Sequence, residues 1–189
     1  MFCGALSLEA ALELVDARHD ALKGVSAKAV SVVGDVDVED GLVDASKHGE
    51  IAVSHDLCPG VRVVSGSRDA VAAFEVAGAV LTETDARQGA HSPLAADAAA
   101  AYDALLVQAL AGAATLAHPL HVAAPAGGLV ATDAAAAGDA LRGSLGRPVA
   151  WRAAMERLLA AGATHFADAG GGAQLQAFGE RCGAGAWLW

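Results

Sequence analysis

Between residues 29 and 84 the chain switches repeatedly between strand-like and helix-like patterning, and no other feature limits its possible folds as much. Residues 29–33 are a short β-branched run, and residues 38–46 read as a helix with an acidic face. Residues 51–54 read as a strand, and Cys58-Pro59-Gly60 is a turn signal ahead of another at 61–64. Ser67 stands where a cap starts a helix through about Phe74, and residues 79–84 form a last strand. Strand, helix, strand, strand, helix, strand is the split βαβ order of a ferredoxin-like unit. It predicts a four-stranded antiparallel sheet with two helices on one face, paired within itself and not with the C-terminal half.

The flanks have a different rhythm. Ser7 can cap a helix to about Leu22, with Glu9 and Glu13 towards its positive end and Gly24 as its stop. Leu8, Ala11, Leu12, Val15 and Leu22 recur along it at helical spacing. After a polar loop at 85–93, an Ala-rich helix is expected over 94–116, a strand over 119–124 and a turn at Pro125-Ala126-Gly127-Gly128. Helices follow at 134–145 and 148–161, the second with Pro148 near its N-terminus. A strand at 163–167 runs into Gly170-Gly171-Gly172, and a final helix starts near Ala173. This is α/β in class with an α+β insert, but with too few strands for a full doubly wound sheet.

Hydrophobic residues make up 54% of the chain, yet only 4% are aromatic, so the core must be built from Ala, Val and Leu. No run of about 18 apolar residues is present, and the first residues lack the basic and apolar regions of a signal peptide. The expectation is a protein without a membrane span. Cys3, Cys58 and Cys182 have no metal-type spacing and are odd in number, which favours a reducing cytoplasm. The formal net charge is −10 and the twelve basic residues are scattered, so no footprint for nucleic acid appears.

Several phrases, in order, carry a resemblance. Gly4-Ala5-Leu6-Ser7 is followed by Leu14-Val15-Asp16-Ala17-Arg18. Pro59-Gly60 and Val63-Val64-Ser65-Gly66 come next, then Gly89-Ala90-His91-Ser92-Pro93-Leu94. Arg147-Pro148-Val149-Ala150-Trp151, Gly162-Ala163-Thr164-His165-Phe166 and the glycine run close the series. Together they resemble the C-terminal two-thirds of the malonyl-CoA:acyl-carrier-protein transacylase family. The malonyltransferase subunit of malonate decarboxylase belongs to that broad family. The resemblance implies an α/β-hydrolase-like large subdomain, residues 1–24 with 85–189, carrying a ferredoxin-like small subdomain, residues 25–84. It implies ping-pong transfer of a malonyl group from malonyl-CoA to the phosphopantetheine thiol of an acyl carrier protein, with no cofactor.

Acyl transfer needs an activated nucleophile, a base within hydrogen-bond reach and donors for the oxyanion. On the resemblance, His91 is the catalytic base, a role suited to a group that titrates near neutrality. Arg18 is the substrate-binding residue, since a guanidinium grips a malonyl carboxylate through two parallel charge-assisted bonds. The nucleophile is what the sequence lacks. None of the nine serines sits in a G-x-S-x-G elbow; Ser26 has Lys28 after it, and Ser144 has Arg142 before it. The family's histidine-orienting glutamine falls near Ser144, its asparagine before the Pro-Gly turn is unmatched, Gly171 replaces a proline, and Ala90 precedes the histidine. The expectation is an inactive isolated chain: a truncated frame, a split enzyme whose partner chain holds the nucleophile, or a degenerate relative.

Other readings compete. A noncatalytic module that docks a carrier protein or sister subunit fits the same phrases. His118-Pro119-Leu120-His121 has HxxH spacing, but a zinc site usually needs three or four converging ligands, so no metal is expected. The glycine run has neither a Lys-Ser/Thr tail nor G-x-G-x-x-G spacing and reads as a tight turn. Trp187 and Trp189 are left as a frayed tail or a docking patch.

Overall fold

A computed structural model describes residues 6–84, 89–111, 120–122, 129–131, 133–168 and 173–188. Helix α1 (Leu8–Leu22) opens with the Ser7 hydroxyl accepting from the Ala10 N–H at 3.1 Å. Its buried side is not the one the spacing of Leu8, Leu12 and Val15 picks out. Those three are 60%, 56% and 62% exposed; of the expected stripe Leu22 is buried, and Leu14, outside that stripe, turns inward as well.

The stretch that alternates period forms the expected unit. It contains β1 (Lys28–Val33), α2 (Glu39–Ala45), β2 (Ile51–Cys58), β3 (Val61–Gly66), α3 (Arg68–Ala73) and β4 (Val80–Thr84). The strands lie in the order β4-β1-β3-β2, all antiparallel, with Val30 opposite Val64 and Glu83 on its two sides. Alternate β1 residues Val30 and Val32 face the helices and meet Val38, Ala45, Val64 and Phe74 in one core cluster. The Ser67 hydroxyl caps α3.

Two features of this sheet differ from expectation. β2 runs on through Cys58, and irregularities between Val53 and His55 and between Asp56 and Cys58 bend its pairing with β3. Its outer edge is also taken by a fifth strand from the C-terminal half. After the helix α4 (Ala96–Leu110), the antiparallel pair β5 (Leu120–Val122) and β6 (Leu129–Ala131), and the helix α5 (Ala134–Leu141), the chain returns as β7 (Val149–Ala150). β7 pairs parallel to β2, His55 with Val149 and Asp56 with Ala150. An open edge strand offers unpaired N–H and C=O groups, and two extended residues after Pro148 reach them. The helix expected to start at Pro148 therefore starts at Trp151, as α6 (Trp151–Ala160).

α1 packs against α4 through Leu14, Leu106 and Leu110, and through Leu22 with Ala95, Ala98, Ala99 and Leu145. Small alanines let the two helices approach closely. β6 was not expected, and the expected turn at 125–128 and the end of the 94–116 helix lie outside the described residues. The last elements are β8 (His165–Ala167), α7 (Gln174–Arg181) and β9 (Ala186–Leu188), with β9 parallel to β8. Trp187 is thus part of a strand, stacked on Phe166 with centroids 5.4 Å apart and seated on Gly179, where a Cβ would collide with the indole. Trp189 and the glycine run lie outside the described residues. Among the described residues no helix is long and apolar enough to cross a membrane.

Candidate active site

The loop that carries His91 is held in an uncommon backbone shape. Gly89 has φ +56°, with Ala27 and Val25 where a side chain would project, so glycine is required on both counts. Two residues later His91 has φ +66°, the one non-glycine residue with positive φ among the described residues. This conformation costs about 1 kcal/mol or more and persists where surrounding bonds determine it. Those bonds are present. The His91 N–H donates to the Leu145 carbonyl at 2.5 Å, and the buried Ser92 hydroxyl donates to the Gly89 carbonyl at 2.6 Å. Ala90 packs against the cluster of Leu22, Ala95 and Leu145, pulling the loop onto the helices.

The imidazole is oriented in the same way. Its Nδ1 lies 2.7 Å from the Ser144 carbonyl oxygen, which only accepts, so Nδ1 carries the proton and Nε2 keeps its lone pair. The group that orients the ring is a backbone carbonyl, which any residue supplies, so the side chain of Ser144 does not decide it. Burial lowers the His91 pKa below the ordinary value, the bond to Ser144 opposes the shift, and the positive charge of Arg18 lowers it further. The backbone of Arg147 also bonds to the ring and opposes the shift, and the net direction favours the unprotonated imidazole, the state a general base needs.

The turn that supplies these carbonyls has its own support. It is a 3-10 turn over Ser144–Gly146, entered through Gly143 at φ +69°. The Gly143 N–H donates to both carboxylate oxygens of Asp103 on α4, at 2.9 and 2.8 Å. Sequence reading did not find Asp103. The signal was a charged residue inside an Ala-rich helix, where aspartate is a poor helix former unless something uses it.

Arg18 sits half-buried on α1, on the side that faces α4. Its charge acts on both His91 and Tyr102, the latter a half-buried phenol whose pKa burial raises and Arg18 lowers. Residues far apart in sequence are thereby placed in one electrostatic neighbourhood, imidazole and guanidinium together. Among the described residues Arg18 takes no carboxylate partner. A second histidine also belongs here. His55 on β2 stands edge-on to His91, ring centroids 5.1 Å apart and planes at 75°.

No nucleophile joins them among the described residues. The three buried serines, Ser54, Ser65 and Ser92, donate to the Val63 carbonyl, to Ser54 and to the Gly89 carbonyl. Ser144 offers its carbonyl, and no described serine hydroxyl bonds to the His91 ring. No three His, Cys, Asp or Glu side chains converge on a metal-sized point among the described residues. Of the HxxH pair, His118 lies outside those residues and His121 is on β5.

The backbone matches solved malonyltransferases. An acyl-carrier-protein S-malonyltransferase from Burkholderia pseudomallei 1710b agrees at a TM-score of 0.87 and 22% identity, over 98% of this chain and 64% of that one. The corresponding enzyme from Vibrio cholerae agrees at 0.87 and 20%, again over 98% and 64%. A malonyl CoA-acyl carrier protein transacylase from Coxiella burnetii agrees at 0.86 and 18%, over 98% and 61%. This chain thus has the fold of these enzymes over less than two-thirds of their length. No protein-family model and no curated protein matches its sequence.

Proposed function

We propose that this chain supplies the base and the carboxylate clamp of an acyltransferase that moves a malonyl group from malonyl-CoA to an acyl carrier protein. One observation carries the reading: the His91 ring is tied through Nδ1 to the Ser144 carbonyl, and Arg18 is close enough to influence it. In this reading residues 25–84 form a small subdomain inserted between the two parts of a larger one, 1–24 and 85–189. The protein works in the cytoplasm.

The nucleophilic serine comes from outside the described residues, on a further segment of polypeptide or a partner chain. Its Oγ attacks the thioester carbonyl while Nε2 of His91 takes the hydroxyl proton. Collapse breaks the carbon–sulfur bond, and the same proton passes from His91 to the departing CoA thiolate. In the second half the phosphopantetheine thiol gives its proton to His91, sulfur attacks the serine ester, and the proton returns to the serine. Arg18 pairs with the malonyl carboxylate throughout and does not take part in proton transfer.

The test is complementation. The chain alone, incubated with malonyl-CoA, should show no malonyl adduct by mass spectrometry. Joined to the remaining third of a malonyltransferase of this fold, it should load a carrier protein, and His91→Ala should lower that rate about 100-fold or more. Equal rates with and without His91 would overturn the assignment. A complemented chain that binds carrier protein and transfers nothing would favour the noncatalytic docking module.

A further inference from the structure

The proposed reaction makes no use of His55, yet the fold devotes a buried polar network to it. His55 lies between the two irregularities of β2, where a bulge re-aims side chains relative to a regular strand. Behind it, Nδ1 is 3.0 Å from the Ser54 hydroxyl. Ser54 donates to the Val63 carbonyl at 3.2 Å and accepts from the Ser65 hydroxyl at 2.7 Å. With the Ser54 proton so placed, its remaining lone pair accepts the Nδ1–H of His55, and every hydroxyl group is used.

Ser54 and Ser65 are 0% and 2% exposed, two of the three buried polar residues among the described ones. Burying hydroxyls there is unfavourable unless they are bonded, and a fully connected network rigidifies what it holds. The end of this network is the His55 ring. In front of that ring, at 5.1 Å and 75°, is His91, in the edge-to-face arrangement favoured for aromatic pairs.

We propose that His55 is a positioning residue for His91: braced from behind by the Ser54–Ser65 hydroxyl pair, its ring packs edge-to-face on the His91 ring and confines it to one orientation and one tautomer. The proposal rests on the reading of His91 as the base only for its catalytic consequence. Backbone bonds to Leu145 and Ser144 fix one side of His91, and β2 of the inserted unit closes the other. Burial lowers the pKa of both rings, that of His55 to about 4. Arg18 from α1 is the charge that acts on His91, Tyr102 from α4 feels Arg18 in turn, and the backbone of Arg147 also bonds to His91.

Long-range proton–nitrogen correlation spectra of the ¹⁵N-labelled chain test this without any acyl transfer. In the wild type His91 should show a single tautomer protonated on Nδ1. In His55→Ala, His91 should average between tautomers, and its titration midpoint should rise by roughly half a pH unit or more as water reaches the ring. His55→Phe keeps the edge-to-face contact and should restore the single tautomer. If His55→Ala fails to fold, Ser54→Ala, which removes the brace and leaves both rings, should shift His91 in the same direction. A His91 tautomer and midpoint unchanged in folded His55→Ala or Ser54→Ala, or not restored by His55→Phe, would overturn the proposal. A failed complementation assay would leave these spectra as they are, so the two readings fail separately.

Discussion

At the scale of single residues, His91 shows how a side chain on an unfavourable backbone conformation is held by bonds from its neighbours. Its left-handed backbone is paid for by bonds to Ser144 and Leu145, and the turn bearing those carbonyls is tied to α4 through Asp103. Asp103→Ala should therefore cost about 1–3 kcal/mol in urea unfolding, because a charge-assisted acceptor of a half-buried N–H is lost. It should also blur the Nδ1 tautomer of His91, while Asp97→Ala, on the exposed side of the same helix, should do neither. The two histidines give stability a pH dependence of definite sign. His55 titrates at about 4 when folded against an ordinary 6.5, so the unfolded chain takes up the proton first as pH falls. Stability from this source is complete above about pH 6.5 and lost between there and pH 4, and the lowered pKa of His91 adds in the same direction. Discounted for solvent screening of a half-buried ring, the loss is on the order of 2–3 kcal/mol for His55. Urea midpoints at pH 7 and pH 4.5 should diverge less in His55→Gln than in the wild type.

At the scale of elements, α1 has two faces with different energetic weight. Leu22 is 0% exposed and joins Ala95, Ala98, Ala99 and Leu145 beneath the His91 loop. Leu12, on the same helix, is 56% exposed. Leu22→Ala should cost about 2–5 kcal/mol, through lost transfer energy and a cavity that an alanine-rich surround cannot collapse to fill. Leu12→Ala should stay within about 0.5 kcal/mol. Denaturant midpoints of the two variants provide the comparison, and equal losses would mean the outer stripe is covered in solution. The edge of β2 is an element-scale decision of another kind. Two residues of β7 close it, and α6 and α7 also pack on β2, so the sheet of β1 to β4 is bonded into the C-terminal half.

At the scale of the whole molecule, α1, strand β2 and the loop before α4 converge to bring Arg18, His55 and His91 together. In the complemented enzyme, base and clamp should separate by substrate. Arg18→Ala removes a bidentate partner worth about 1.5–3 kcal/mol, so malonyl transfer should fall about 10- to 100-fold while acetyl transfer is spared or improved. His91→Ala should depress both. Transfer rates for the two acyl-CoAs across the two variants decide the matter, and equal loss of both substrates in Arg18→Ala would remove it from the clamp. The pH dependence of transfer should show its lower limb below 6.5, since the rate rises as the buried His91 loses its proton.

What the sequence determined by itself was local. Period-two and period-3.6 patterning over residues 29–84 specifies a four-strand unit, Ser7 and Ser67 mark helix starts, and the phrase around His91 marks the loop. Each of these is written within a few consecutive residues. Only the tertiary structure decided which side of α1 is buried, because Leu14 and Leu8 offer rival stripes and the position of α4 chooses between them. It also decided the pairing of β7 with β2, the use of Asp103 by Gly143, the seat of Trp187 on Gly179 and the meeting of His55 with His91. Contacts between residues so far apart depend on the path of the chain between them, and no periodicity or spacing records that path. The orientation of His91 is the clearest case: its ring is held by the Ser144 backbone carbonyl, a group every residue carries, so no side chain in the sequence marks it.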